Sequence, residues 1–337
     1  MHDSLKGIDM SSRAKILVVG SFVMDLIVST RRVPNDGVTV VDGLAFNTAA
    51  GGKGLNQASQ AALLGSEVHM LGCVGQDAFG DQMVKALKRV GVQTEHVLRA
   101  REGISSGVGN IILETKPGEK VRNRIIVVPG ANHEITAEDV AFLKEDIAQY
   151  GMVMLQLEIP MAINEIVTQY AFDKGVPVML NSAPSAPLSS ELLSRLSFIS
   201  PNEHEAKDIT GIEIKKIDGQ LDMDSVKAAA TKLMDMGVKN VIITLGSHGA
   251  AFMNAENFIH KDTIDIVDVV DPTAAGDSFV GSFCSKVASG MSYDEALSYA
   301  NYAASVTVSR MGAQPSLPNE DEVAALIQRH QEILAEV

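Results

Sequence analysis

Asp277 is the side chain in this sequence that points most directly to chemistry. It follows three small residues, 274–276, and opens an amphipathic helical pattern, while an apolar run with strand character, Ile264–Val270, ends just before Asp271. Backbone N–H groups and the helix dipole favour an anion at such a helix start. A carboxylate there would repel a phosphate, unless it is the base for an alcohol that attacks the phosphate. The pattern therefore predicts phosphoryl transfer, because the alternative, an aspartate N-cap, leaves the small residues and Asp271 unexplained.

A glycine cluster precedes an earlier predicted helix and is a second candidate for ligand binding. The cluster consists of Gly51, Gly52, Lys53 and Gly54, followed closely by Asn56. It lacks the spacing of a P-loop, and no G-x-G-x-x-G motif follows the first predicted strand. Adjacent glycines let the backbone pack against a ligand, and the lysine and asparagine can hydrogen-bond hydroxyl groups. Taken alone, the motif is explained equally well by a loop with a surface lysine.

Further polar residues lie where predicted strands end. Asp25 and Glu158 each close an apolar run, Asn202 and Glu205 follow another, and residues 244–249 form a glycine-containing turn after a fourth. Each residue alone could be a cap or a solvated charge. In open parallel sheets, however, ligands bind beyond the carboxyl ends of the strands. Their shared placement therefore indicates a single site, and the turn could admit a nucleotide.

Composition limits the class of protein. The 337 residues are 46% hydrophobic, enough for a large α/β domain, and the net charge of −14 argues against a nucleic-acid binder. No apolar run is long enough to predict a membrane-spanning helix. Residues 1–14 are polar and are predicted to be a flexible extension. Cys73 and Cys284 lie far apart in apolar surroundings, so we expect buried, reduced thiols and a cytoplasmic protein.

Strand-like runs alternate with helical periodicity along residues 15–337. This alternation predicts an α/β domain with a central, mostly parallel sheet flanked by helices on both faces. The predicted strands are residues 15–20, 69–74, 153–157, 176–180, 198–200 and 241–245, with 264–270 as a further strand-like run. The predicted helices are residues 54–64, 80–90, 137–149, 164–174, 189–196, 224–236, 292–310 and 320–336.

Two β-rich segments interrupt this alternation. Residues 39–48 lead directly into the glycine cluster, and residues 107–128 contain a hairpin with a turn at 116–119. We predict a small β lid over the site, formed by about residues 34–51 and 104–130. A mere edge extension of the main sheet is the alternative.

Together these motifs resemble the ribokinase family of the wider PfkB sugar kinases, over almost the whole chain. The matching motifs are the glycine cluster 51–54, the segment 271–277, Asn202-x-x-Glu205 and the tail 310–316. The resemblance implies a parallel sheet with a β lid that often mediates homodimers. It also implies ATP-dependent phosphorylation of a primary alcohol with Mg²⁺, and activation by a monovalent cation, usually K⁺.

The resemblance assigns roles residue by residue. Asp277 would deprotonate the sugar hydroxyl, and the backbone of Ala274, Ala275 and Gly276 would form the anion hole. The sugar would contact Val23, Asp25, Gly52, Lys53, Gly54, Asn56, Glu158 and Asp277. The nucleotide would contact Asn202, Thr244, Gly246, Ser247, Gly249, Gly276 and Asn301, and Glu205 would hold hydrated Mg²⁺. The K⁺ site would comprise Asp271, Thr273, Thr307, Arg310, Gly312 and Ser316, mostly through carbonyl groups.

The chain departs from the ribokinase pattern at two positions. Val23 replaces the usual asparagine that contacts sugar hydroxyls, and an unsatisfied hydroxyl there would cost about 1–3 kcal/mol. Pro272, often threonine, removes one N–H beside the cation loop. The predicted acceptor is the terminal hydroxyl of a pentose, D-ribose first. The alternatives are 2-deoxy-D-ribose, which suits Val23, a nucleoside, or a sugar-sensing protein without activity.

Overall fold

The computed structural model describes residues 14–116, 122–217 and 220–336. Their strands are β1 Lys15–Val19, β2 Val23–Thr30, β3 Gly43–Gly51, β4 Glu67–Val74, β5 Val97–Arg99, β6 Gly107–Glu114, β7 Arg122–Val128, β8 Met152–Gln156, β9 Val178–Asn181, β10 Phe198–Ser200, β11 Lys216–Ile217, β12 Gln220–Leu221, β13 Asn240–Thr244, β14 Ala250–Met253 and β15 Phe258–Lys261. The α-helices are α1 Lys53–Leu63, α2 Ala78–Arg89, α3 Leu143–Asp146, α4 Met161–Asp173, α5 Ser190–Arg195, α6 Glu203–Thr210, α7 Met223–Asp235, α8 Ala275–Ala288, α9 Tyr293–Val308 and α10 Glu320–Ala335.

Nine of the described strands form the main sheet, in the order β15-β14-β13-β10-β9-β8-β1-β4-β5. Every pairing in it is parallel except those of β13 with β14 and β14 with β15. Parallel strands are buried on both faces, so they appear in the sequence as continuous apolar runs. This architecture confirms the predicted fold class.

The main sheet separates two hydrophobic clusters. Leu17 and Val19 of β1 face one cluster, which includes side chains from α4, α5 and α7. Ile16 and Val18 face the other, which includes side chains from α1, α2, α8 and α9. Helices therefore cover both faces, as predicted, and the two cysteines are buried and free, one in each cluster.

A second sheet of four strands, in the order β3-β2-β6-β7, confirms the prediction of a small separate β layer. We call this sheet the lid. Its central strands β2 and β6 are parallel, and both outer pairings are antiparallel. The prediction that Asp25 ends a strand is wrong, because Asp25 is the third residue of β2, which continues to Thr30. β3 begins at Gly43 rather than near residue 39. The predicted turn at 116–119 falls largely outside the described residues.

Asn132 joins two of the chain segments that enter and leave the lid. Its side chain accepts a hydrogen bond from Phe22 N–H at 2.8 Å and donates to Phe22 C=O at 2.7 Å. It also donates to Pro129 C=O at 2.9 Å. The start of β2 and the segment after β7 are therefore fixed to each other by one buried amide.

Two of the predicted elements are wrong. Residues 264–270 form no strand, because the β14–β15 hairpin takes the sheet edge; Val269 and Val270 remain exposed, and Val270 N–H bonds Val308 C=O at 2.8 Å. Residues 137–149 form consecutive turns with only a short helix, α3, although Leu143 and Ile147 are buried at helical spacing.

The remaining predicted helices and strands agree with the structure to within a few residues at their ends. Residues 1–13 of the predicted extension lie outside the described part of the chain. Within that part, none of the helices combines the length and apolar character needed to cross a membrane.

Candidate active site

A cleft of about 230 Å³ lies at the carboxyl ends of the main-sheet strands. Strand ends β9, β10 and β13 contribute to it, as do the starts of α1, α6 and α8, so residues distant in sequence meet there. The lining residues are Lys53, Asn181, Ala183, Ser200, Asn202, Glu205, Thr244, Pro272, Ala274, Gly276, Asp277 and Val280.

Asp277 lies in the first turn of α8 and is almost completely buried. Ala274, the N-cap of this helix, adopts left-handed backbone angles (φ 60°), which turns the chain sharply into the helix. The Asp277 carboxylate accepts hydrogen bonds from Asn56 Nδ2 at 2.9 Å and Gln57 Nε2 at 3.0 Å. A Cβ added at Gly276 would meet open space, so the start of α8 is accessible to a ligand.

The start of α1 is pressed against the chain between β1 and β2. A Cβ at Gly54 would overlap the backbone of Gly20 and Ser21, and a Cβ at Gly52 (φ 93°) would lie 2.7 Å from Val23 N. Only glycine allows this approach. The contact is what brings the adjoining residues of α1 to the cleft.

Glu158 and Lys53 meet at this contact between the start of α1 and the chain linking β1 to β2. The Glu158 carboxylate accepts hydrogen bonds from Ser21 Oγ at 2.5 Å and from the Lys53 backbone N–H at 3.0 Å. Burial lowers the pKa of the Lys53 ammonium, but the surrounding carboxylates, Asp277 first, outweigh burial and leave that pKa above its usual value. Lys53 is therefore a cation surrounded by acidic groups.

The carboxyl group of Asp25 has a raised pKa. Burial, reinforced by the charges of Glu158 and Asp277, raises the Asp25 pKa from 3.8 to about 7. Glycines make room for it, since a Cβ at Gly51 or Gly109 would lie 3.0 or 2.5 Å from its carboxylate oxygens. Carboxylates gathered in this way accept hydrogen bonds from several hydroxyl groups, as a polyol requires.

Asn202 and Glu205 form a capping box at the start of α6. Asn202 N–H and Nδ2 donate to the two Glu205 carboxylate oxygens at 2.9 and 2.8 Å, and Glu205 N–H donates back to Asn202 Oδ1. Burial raises the pKa of Glu205. The backbone N–H of Thr244, at the end of β13, donates a hydrogen bond to Pro201 C=O at 3.0 Å, just before α6.

The turn after β13 and Asn301 lie further along the predicted nucleotide path. Gly246 and Gly249 both have positive φ, and a Cβ at Gly249 would overlap the Lys261 backbone. Asn301 Nδ2 donates to the carbonyls of Lys261 and Asp262 at 3.2 and 3.1 Å. The Asn301 amide therefore holds the loop after β15. Among the predicted nucleotide residues, Asn202, Thr244 and Gly276 line the cleft itself.

The residues predicted to bind a monovalent cation lie in two chain segments, 271–273 and 307–316, which Asp271 connects. Asp271 accepts hydrogen bonds from Thr273 N–H at 2.9 Å and Gly312 N–H at 2.9 Å. The side chains of the remaining members point to other partners. Thr307 donates to Ser278 or Ala303, Arg310 pairs with Glu322, and Ser316 donates to Ala313.

Three comparisons with known proteins agree. The family model described as pfkB family carbohydrate kinase matches residues 13–320. The chain is 40% identical to a ribokinase of Schizosaccharomyces pombe over 91% of this chain and 96% of that protein. It is 32% identical to a deoxyribokinase of Salmonella typhi, again covering 91% and 96%. A solved structure of Arabidopsis thaliana ribokinase complexed with ribose and ATP superposes with a TM-score of 0.84 at 32% identity, covering 94% and 99%.

The chain belongs to the pfkB family of carbohydrate kinases. It is an ATP-dependent sugar kinase, which confirms the predicted enzyme class. The assignment fits the geometry, since a buried carboxylate at an open helix start lies beside a lysine and two further carboxylates.

The sequence patterns did not indicate every polar group of this kinase's site. Asn181 and Ser200 line the cleft, and Gln57 contacts Asp277 directly. Gln57 follows Asn56 in the helix that begins at the glycine cluster. Its polar side chain on the inward face of that helix was the sequence feature that could have identified it.

One group of titratable side chains lies away from the cleft, near the first residues of β1 and β4. His69 Nδ1 lies 2.5 Å from Glu95 Oε1, and His69 Nε2 lies 3.0 Å from Glu67 Oε1. His96 is beside Glu95 at 3.7 Å. These are hydrogen-bond and ion-pair lengths, so the groups satisfy one another at the end of the sheet opposite the cleft.

The Asp25→Asn variant is expected to gain stability relative to wild type as the pH rises. The folded chain raises the Asp25 pKa from 3.8 to about 7, so the folded state binds the proton more tightly. Wild-type stability therefore falls as pH rises through this window. Asparagine removes that loss. In urea titrations, the free energy of unfolding of the variant minus that of wild type should therefore be about 1–3 kcal/mol larger at pH 8 than at pH 5.

Asp77→Asn provides a control of opposite sign. Burial raises the Asp77 pKa, but hydrogen bonds from the N–H groups of Ser106 and Gly80 outweigh burial and lower it. Asparagine at this position should therefore destabilise the kinase at both pH values without the gain at pH 8. A difference between Asp25→Asn and wild type that does not change with pH would contradict the elevated Asp25 pKa.

Proposed function

We propose that this kinase transfers the γ-phosphoryl group of ATP to the terminal 5-hydroxyl of a pentose, with D-ribose as the first candidate. The observation that supports this most is Asp277, buried at the open start of α8 and facing the cleft beside Lys53. Relatives named ribokinase, at 34–40% identity over nearly their full length, support the choice of acceptor.

In this mechanism Asp277 accepts the proton of the sugar hydroxyl as that oxygen attacks the γ-phosphorus in line. Backbone N–H groups at the start of α8 stabilise the charge on the transferring group. The Ala275 N–H is bonded to Pro272 C=O at 3.2 Å, so we assign this role mainly to Ala274 and Gly276. The Lys53 ammonium adds a positive charge on the same side of the cleft.

The proposed sugar subsite lies between the lid and the start of α1. Asp25 and Glu158 accept hydrogen bonds from sugar hydroxyls, and the Asn56 amide, bonded to Asp277, orients the reacting end. Gly52 and Gly54 serve this subsite through their close packing against residues 20–23, which places Lys53 and Asn56 beside it. Closure of the lid would exclude water and so limit hydrolysis of ATP.

We also propose where cations bind. The Glu205 carboxylate is among the groups lining the cleft, which suits Mg²⁺ held through water, as hard cations prefer oxygen ligands. When bound, Mg²⁺ would neutralise charge on the ATP phosphates. For K⁺ we propose the loop of Asp271 and Thr273 together with Gly312, and the carbonyl groups of Thr307, Arg310 and Ser316.

A second candidate acceptor, 2-deoxy-D-ribose, is favoured by Val23. This side chain is only 5% exposed and lies on the same face of β2 as Asp25. A Cβ at Gly109 would lie 3.4 Å from Val23 Cγ1 and 2.5 Å from the Asp25 carboxylate, so the two side chains are neighbours. A sugar hydroxyl facing the valine would lack a partner there.

We further propose that the kinase is a homodimer joined through the lid. Phe46 of β3 and Ile126 of β7 lie on the lid face opposite Asp25, and they are 63% and 65% exposed. Val128, on the same face, is also half exposed. Apolar residues grouped in this way on a sheet normally have a partner surface.

Asp277→Asn is expected to lower kcat by roughly 10²–10⁴-fold, because asparagine cannot accept the proton, while sugar KM changes little. The assay is ADP release with ATP, Mg²⁺ and K⁺, comparing D-ribose, 2-deoxy-D-ribose and adenosine. Near-normal turnover by this variant would remove the base assignment. If the wild type released no ADP with any of the three acceptors, the pentose proposal would be wrong.

Val23→Asn is expected to raise kcat/KM for D-ribose relative to 2-deoxy-D-ribose by roughly 10-fold, because the amide supplies the missing hydrogen-bond partner. Val23→Ala serves as the control, since it makes space without adding a polar group. If the ratio of kcat/KM for the two sugars were unchanged in Val23→Asn, this position would not discriminate between sugars with and without the 2-hydroxyl.

Ile126→Lys is expected to convert the dimer to a monomer, because it buries an unpaired charge in the proposed interface. Light scattering coupled to size-exclusion chromatography measures the mass. Ile217→Lys is the matched control, because Ile217 is 59% exposed on β11, outside the lid. A wild-type monomer, or dimers with both variants, would refute the lid interface.

A further inference from the structure

Gln57 is a completely buried side chain that hydrogen-bonds Asp277. It lies on α1, one residue after Asn56, and is 0% exposed. Its Nε2 is 3.0 Å from Asp277 Oδ1 and 3.2 Å from Asn181 Oδ1. A group buried this deeply does not reach a ligand in the cleft, so it acts only on its protein neighbours.

The direction of these hydrogen bonds is fixed by the charge of Asp277. An ionised carboxylate only accepts, so the Gln57 amide must present its NH₂ group to Asp277. Its Oε1 then faces Gln156, which must donate, and Gln156 Nε2 lies 2.7 Å away. On the other side, Asn181 Nδ2 donates to Ser200 C=O at 2.9 Å.

Gln57 is therefore the centre of a buried amide network that connects β8, β9 and α8. Both of its N–H groups and its oxygen have partners, which leaves the amide a single orientation. The carboxylate torsion of an aspartate is intrinsically broad. Asn56 fixes one oxygen of Asp277 and Gln57 fixes the other, so the carboxylate plane is held before any sugar binds.

We propose that Gln57 is a positioning residue for catalysis, which sets the orientation of the Asp277 carboxylate toward the acceptor hydroxyl. This inference rests on the proposed function of Asp277 as the base. A misplaced base costs rate rather than sugar affinity, because proton transfer depends on alignment in the transition state. A purely structural glutamine would instead affect stability and leave the chemical step unchanged.

The test compares Gln57→Leu with Gln60→Leu. Leucine keeps most of the volume and removes the amide. Gln60 is a matched control, because it is also 0% exposed on α1 and also makes two hydrogen bonds, to Pro318 C=O and Ser278 Oγ, but none to Asp277. We expect Gln57→Leu to lower kcat about 10–100-fold with sugar KM within about threefold of wild type, and Gln60→Leu to lose similar thermal stability with a much smaller loss of kcat.

A double variant separates positioning from a general structural effect. In an Asp277→Asn background the base is absent, so Gln57→Leu should cause no further loss of rate beyond about twofold, measured by single-turnover transfer. An equal loss in both backgrounds, or a Gln57→Leu enzyme with wild-type kcat, would overturn the proposal.

If Gln57→Leu does not fold, Gln156→Leu decides the question. It removes the partner of Gln57 Oε1 without touching Asp277, and we expect kcat to fall roughly 3–10-fold with KM unchanged. Wild-type kcat in that variant would overturn the positioning role. The proposed function itself fails separately, through a wild type that phosphorylates no pentose or an Asp277→Asn variant that retains turnover.

Discussion

The close contact between the start of α1 and the chain linking β1 to β2 is the constraint on which the site depends. A side chain on either Gly20 or Gly54 would overlap the backbone of the other residue. Because they pack so closely, the peptide after Gly52 reaches Glu158, and α1 directs Asn56 and Gln57 toward α8. This backbone contact therefore helps to position the main sheet, the lid and α8 relative to one another.

Electrostatics add a second level of organisation. A chain with a net charge of −14 gathers Asp25, Glu158 and Asp277 around one lysine, and then must bind a nucleotide that is itself anionic. Burial first, and then repulsion from Glu158 and Asp277, raises the pKa of Asp25. Binding of sugar hydroxyls, which donate to carboxylates, would relieve part of it. The cations proposed above would offset part of the negative charge that ATP brings to this site.

Much of the fold could be predicted, because strands buried on both faces appear as apolar runs between helical patterns. The predictions of secondary structure were wrong where apolar residues are exposed or where a strand is only partly buried. Residues 264–270 are apolar but partly exposed, and β2 is only half buried along its length, so its pattern is weak. The exit of the chain from the sheet after β15 depends on the antiparallel hairpin, which local sequence does not reveal.

The site could be predicted where a motif concentrates its residues, as around Gly52 and Asp277. It could not be predicted where function depends on contacts across the fold. Gln57 meets Gln156, Asn181 and Asp277, which lie 99, 124 and 220 residues away, and its polar character on α1 does not by itself identify these partners. Only the packing of α1 against two strands and a helix creates the network.

Asn132 restrains the lid at the end that adjoins the main sheet. By bonding both backbone groups of Phe22 and also Pro129, it ties the strand that enters the lid to the segment that leaves it. Asp25 lies only three residues beyond this clamp. A rotation of the lid about this clamp would therefore displace Asp25 much less than Thr30 at the far end of β2. The sugar-binding carboxylate proposed at Asp25 would then keep its place relative to the main sheet whatever the position of the outer lid.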